Sequence, residues 1–233
     1  MIDKSSVELE FSQKYNQDHS RNYFFKHKAT LSRRLSHWRD LQLARKALRY
    51  AGNPDVILDL PCGAGRFWPL LTRNGKRSIW AADNSADMLA TARHYQCDEI
   101  VGQVNSFQTS AFDIDMPAGS VDCIFCMRLF HHIQDVEHRL RILQEFQRVT
   151  RESVVLSLWV DGNFKARRRA ALERKRAARG QQGKNRNRFV VAATTIEREF
   201  AEAEFEIVAA LDFLPRYSMW RVYTLRKLSG GPC

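Results

Sequence analysis

Residues 56–60 (VILDL) are apolar apart from one acid, and Pro61-Cys62-Gly63-Ala64-Gly65 follows directly. No other feature restricts the fold as much. A short apolar run bounded by turn residues reads as a buried strand. Glycines after it let backbone N–H groups approach a ligand at the N-terminus of the next helix. A second run, 78–82 (SIWAA), leads into Asp83, where a carboxylate can accept both hydroxyls of a ribose.

The rest of the chain alternates in the same way. Periodicity predicts a helix over 20–50, with Leu31, Leu35, Trp38, Leu41, Ala44 and Leu48 on its apolar face. Gly52-Asn53-Pro54 stops it. Further helices are expected over 68–72, 85–95, 135–150 and 194–203, and strands over 99–104, 121–127, 154–160, 206–211 and 219–227. The last two strands read as an antiparallel pair. This pattern implies an α/β fold: a doubly wound, seven-stranded, mostly parallel sheet covered on both faces, with an antiparallel C-terminal strand. Its ligand is expected outside the carboxyl ends of the strands, at the topological switch point.

A nicotinamide or flavin dinucleotide is the obvious competitor for such a site. Trp68 stands where the third glycine of Gly-x-Gly-x-x-Gly would be, and Asp59 ends the first strand near where a pyrophosphate would lie. Like charges there repel. S-adenosylmethionine (SAM), with a cationic sulfonium, an ammonium group and no phosphate, suits that acid better.

Over about residues 50–227 the chain resembles the class I (seven-β-strand, Rossmann-like) SAM-dependent methyltransferases. The likeness is carried by Asp59-Leu60-Pro61-Cys62-Gly63-Ala64-Gly65, Asp83-Asn84-Ser85, Ser110-Ala111-Phe112-Asp113 with 117–122 (PAGSVD), and Met127-Arg128-Leu129-Phe130-His131-His132-Ile133. The resemblance implies that SAM is held by Asp59, Cys62, Gly63, Gly65, Asp83, Asn84, Ala111, Phe112 and Met127. It also implies in-line attack by an acceptor atom on the sulfonium methyl, with much of the rate coming from positioning and exclusion of water. This chain has Ser110 where relatives often carry an acid near the adenine, and Glu204 where they carry a glycine before the sixth strand. The segment after the fourth strand would face the methyl donor. There His131 or His132 could deprotonate an acceptor hydroxyl, and Arg128 could clamp a phosphate or carboxylate. The plainer reading has His132 only cap the following helix or orient the loop. Cys123 and Cys126, three apart on a strand, point to opposite faces and suit no metal.

The charge of +11 is concentrated in outer segments. Residues 164–188 hold eleven Lys/Arg against one acid, and residues 1–50 hold eleven against five, whereas residues 51–163 hold ten against fourteen. The resemblance implies a SAM-dependent methyltransferase domain (51–233) and an N-terminal helical lid (1–50), whose Tyr15, Tyr23, Phe24, Phe25, Lys26 and His27 read equally as an apolar anchor for the leading helix. The domain carries a basic helical insert (164–188) after strand five, and 180–187 of that insert reads as a flexible loop. Such asymmetry suggests an anionic partner. The insert reads as a lid over an anionic acceptor, a nucleic-acid clamp or a solvated arm. Five scattered cysteines, no apolar run of about 20 residues and no leader pattern at the N-terminus suggest a cytoplasmic protein. The expected activity is methyl transfer to O or N of an anionic small-molecule or glycan-linked acceptor. The alternatives are an RNA methyltransferase using the insert as a clamp, or a catalytically silent SAM-fold module.

Overall fold

The computed structural model of the chain describes residues 30–180 and 187–228. Residues 1–29 of the expected lid and 181–186 of the expected flexible loop lie outside them.

Helix α1 (Leu31–Tyr50) precedes β1 (Val56–Asp59), α2 (Trp68–Leu71), β2 (Ser78–Asp83), α3 (Ala86–Tyr95), α4 (Asp98–Val101), β3 (Val104–Gln108) and β4 (Val121–Cys126). A 3-10 turn (Phe130–His132), α5 (Val136–Val149), β5 (Thr150–Trp159), α6 (Phe164–Ala177), α7 (Ala193–Glu202), β6 (Phe205–Asp212) and β7 (Trp220–Lys227) follow. Seven strands form one sheet in the order β3-β2-β1-β4-β5-β7-β6. The first five run parallel, and β7 lies antiparallel between β5 and β6. The chain starts mid-sheet, steps outward to β3 and crosses back to β4, so the switch point lies between β1 and β4.

Period-two alternation sorts the strands' side chains between two layers. Ile124 and Cys126 of β4 pack with Leu143 and Phe146 of α5 and Ile196 and Phe200 of α7. Cys123 and Phe125 pack on the other face with Leu43, Ala44, Ala47 and Leu48 of α1. The two cysteines therefore do face opposite sides. Helix starts follow the sequence closely: the Ser85 hydroxyl accepts from Met88 N at 3.3 Å, and Asp135 Oδ1 from Glu137 N at 2.8 Å.

Three expectations need correction. Residues 99–104 do not form the third strand. Asp98 and Glu99 open a helical turn instead, where acids favour the N-terminus, and the strand starts at Val104. In α1 the buried face is Asp40, Leu43, Ala44, Ala47 and Leu48, while Leu31, Leu35 and Trp38 stay exposed. Helix α5 is capped by Asp135, not by His132.

Candidate active site

β1 delivers Asp59 to the carboxyl edge at 1% exposure, with no hydrogen-bond partner on either carboxylate oxygen. Burial pushes its pKa well above the usual carboxylate range; Asp83 adds to the rise and the Trp68 indole opposes it. The turn that follows is fixed by glycines with left-handed backbones, Gly63 (φ 54) and Gly65 (φ 71). A Cβ on Gly65 would meet Trp68 Cδ2 at 2.9 Å. The tryptophan in the third-glycine position thus itself requires a glycine at 65. Gln96 Nε2 donates to Gly65 O at 2.8 Å, and Cys62 N to Ala82 O at 2.8 Å.

Asp83 ends β2. Its Oδ2 accepts from Gly63 N and its Oδ1 from Ser85 N, both at 2.9 Å. Burial pushes its carboxyl up to about 6, against the pull of those two N–H groups. Thr109 N donates to Asp83 O at 3.2 Å, bringing the Ala111–Phe112 stretch beside this strand end. Phe112 lies edge-on to His138 at 5.5 Å. Asn84 is exposed, and its carbonyl accepts from Gln108 Nε2 at 2.9 Å. Met127 is buried in the layer that holds Phe67 and Phe125, so its side chain belongs to the core.

Arg128 opens the next loop with a left-handed backbone (φ 73), its N–H held by the Ser157 hydroxyl at 2.9 Å. Its guanidinium binds Asp40 Oδ2 at 2.5 Å and lies 4.8 Å over the Trp220 ring. The same Asp40 oxygen takes Arg66 Nη2 at 2.6 Å. Helix α1 thereby ties the glycine turn to the loop after β4 through one carboxylate that is 1% exposed. His131, 4% exposed, packs against His132 (4.0 Å), Trp159 (5.2 Å) and Trp220 (5.1 Å). Burial pulls its pKa well below the usual imidazole range, and His132, Arg128 and Arg188 add to the fall. His132 is pulled down to about 4, chiefly by burial, with the Asn187 carbonyl opposing. Its Nδ1 lies 2.5 Å from Asn187 O. A carbonyl only accepts, so Nδ1 carries the proton and Nε2 keeps its lone pair. Arg169 and Arg188 sit over Trp159 at 5.3 and 5.7 Å. Phe189 N donates to His131 O at 2.7 Å, closing the segment from the insert onto this loop.

The predicted residues thus form two neighbouring groups: Asp59, Cys62, Gly63, Gly65 and Asp83 around the turn, and Arg128, His131 and His132 beyond β4. Asp40, Arg66, Trp159 and Trp220 escaped the sequence reading. Among the described residues, no group of three or more His, Cys, Asp or Glu is arranged to hold a metal ion.

An unpartnered buried acid, a turn with left-handed glycines and a second acid at the next strand end fit the aminoacyl and ribose ends of SAM. Residues 57–153 match the family model of a methyltransferase domain. A magnesium protoporphyrin IX methyltransferase from Synechocystis PCC 6803, solved with bound SAH, superposes with TM-score 0.67 at 14% identity, over 91% of this chain and 97% of that one. The methyltransferase solved with the Trm112 activator from Haloferax volcanii gives 0.62 at 13%, over 96% and 100%. The [4+2]-cyclase SpnF gives 0.61 at 14%, over 82% of each chain. No curated protein matches the sequence at a significant level. Residues 57–153 thus match a methyltransferase domain, and the sheet order is that of the class I methyltransferase fold.

Proposed function

We propose that the chain methylates an O or N atom of an anionic small-molecule or glycan-linked acceptor, presented from the Arg128–His132 side. The observation that carries this reading is a packed pair of imidazoles, His131 buried and His132 half-buried, whose pKa values are pulled down and which Arg128, Arg169 and Arg188 rim at the carboxyl edge of β4 and β5. When bound, SAM supplies an electrophilic methyl group on a sulfonium. Asp59 would hold its ammonium, Asp83 its ribose hydroxyls and the Cys62–Gly65 backbone its carboxylate side. A neutral imidazole can take the acceptor's proton, and with Nδ1 on Asn187 O the basic nitrogen of His132 is Nε2. The arginine rim favours an anionic acceptor, and the buried rings exclude water.

The test is incubation with methyl-tritiated SAM and a deproteinised extract that retains its small molecules, glycans and RNA, followed by anion exchange. Label should enter a retained small-molecule or glycan fraction and fall at least tenfold with His132→Ala. Label confined to unretained material contradicts an anionic acceptor.

A second reading rests on α6. Its Arg167, Arg168, Arg174 and Lys175 are exposed and form no ion pair among the described residues, whereas Arg169 pairs with Glu173 at 2.7 Å. Those cations suit a phosphate backbone and hence an RNA acceptor. RNA binding that weakens steeply with added salt supports it; none at low salt removes it. The fold also carries a protein named as a cyclase, so a catalytically silent or repurposed site is the third reading. It is favoured only if no extract fraction takes label.

A further inference from the structure

Three buried nitrogens in one contact cluster lack hydrogen-bond partners: Arg128 Nε, Trp220 Nε1 and His131 Nδ1. The Arg128 guanidinium lies 4.8 Å over the Trp220 ring, and the Trp220 and His131 rings meet edge to face at 5.1 Å. Arginine Nε–H and indole N–H are donors only. Each buried donor left unpaired carries a desolvation penalty that an incoming oxygen relieves. The third nitrogen, on an imidazole, can serve either way. Arg128 Nη2 is already taken by Asp40, which fixes the guanidinium plane and leaves Nε as its inward donor.

We propose that Arg128, Trp220 and His131 form a carboxylate subsite for the acceptor, with Arg128 Nε–H and Trp220 Nε1–H donating to the carboxylate oxygens and the Trp159, Trp220 and His131 rings flanking a planar body. The proposal deepens the anionic-acceptor reading and rests on it. A monoanionic carboxylate suits the place better than a phosphate dianion, because burial among rings penalises charge and a second charge more steeply. A flat, conjugated body matches the ring walls, which favour offset or edge-on aromatic contact. Trp220 thereby becomes a specificity-determining residue, brought to the loop after β4 by its pairing with Trp159 across β5 and β7.

The experiment titrates the full-length protein with sodium benzoate, with benzyl alcohol and inorganic phosphate as comparison probes. Thermal shift and tryptophan fluorescence are the readouts, and SAM calorimetry runs in parallel. Trp220→Phe keeps an aromatic ring but removes the indole N–H with the second ring; Arg128→Lys keeps the charge and removes Nε with the rest of the guanidinium fork. Benzoate should bind saturably and benzyl alcohol should not. Each variant should weaken benzoate about tenfold, the loss of one hydrogen bond to a charged group, with SAM affinity unchanged. Absence of saturable benzoate binding, binding by Trp220→Phe or Arg128→Lys as tight as that of the parent, or phosphate binding in place of benzoate overturns the subsite. These readouts use neither SAM nor turnover, so loss of the SAM signal alone counts against the donor site and not against this one.

Discussion

Asp59 and Asp83 are expensive in the free protein, because each holds a carboxylate where burial favours the protonated form. Asp83, raised from 3.8 to about 6, illustrates the sign. Its folded pKa exceeds its unfolded one, so stability falls as pH rises from 3.8 to about 6, and the ionised group costs about 3 kcal/mol above that window. Asp83→Asn turns an amide NH2 toward one of the Gly63 and Ser85 N–H groups at any pH, but should flatten the fall in urea midpoint between about pH 4 and 6. The same substitution should weaken SAM about tenfold or more. A cationic ligand draws these carboxyls into their ionised form. SAM binding near pH 6 should therefore release protons, measurable as a buffer-dependent heat, and should tighten as pH rises. His132 works in the opposite sense. Its pKa falls from 6.5 to about 4, so the stability of its neutral, buried form is lost on acidification through that range. The windows overlap and the slopes oppose, so His132→Gln should unmask a stability that declines with rising pH between about 4 and 6.

Among the elements, α1 is the one whose role was hidden. Its partners through Asp40 lie 26 and 88 residues away, and no local pattern announces a contact at that range. The sequence reading gave α1 an apolar face running from Leu31 to Leu48. The fold instead uses a rotated face that includes a charged residue, because two arginines supply its partner. Asp40→Ala strands both guanidiniums and should cost about 3 kcal/mol in urea unfolding, as expected for breaking a buried ion pair. It should also raise hydrogen exchange across 127–133. The glycine turn, by contrast, was legible, since its strand, turn and helix are contiguous and the steric need at Gly65 is local. The third strand was misplaced because a short apolar pair, Ile100-Val101, looks alike in a strand and in one helical turn. Glu204 sits at the end of α7 with a left-handed backbone (φ 61), where a glycine would be unstrained. Glu204→Gly should stabilise the protein by about 1 kcal/mol in the same assay.

At the scale of the whole molecule, the sheet order places two groups side by side at one edge. The acidic turn lies at the end of β1 and β2, and the aromatic, cation-rimmed loop lies beyond β4 and β5. The first group was readable because its residues are few and close in sequence. The second needed β7 to be laid antiparallel against β5, which sets Trp220 opposite Trp159. Helix α6 opens beside the second group. Its Asn163 cap is buried and holds Ala166 N at 3.0 Å, and its Phe164 stacks on Tyr217 at 5.6 Å, so the start of the basic segment is anchored to the β6–β7 turn. The most direct measurement is calorimetric titration of the purified chain with SAM and, separately, with NAD. SAM should bind with one-to-one stoichiometry, the Asp83→Ala protein should lose most of that heat, and NAD should give none. Saturable NAD binding with no response to millimolar SAM would contradict the assignment of the Asp59–Asp83 berth.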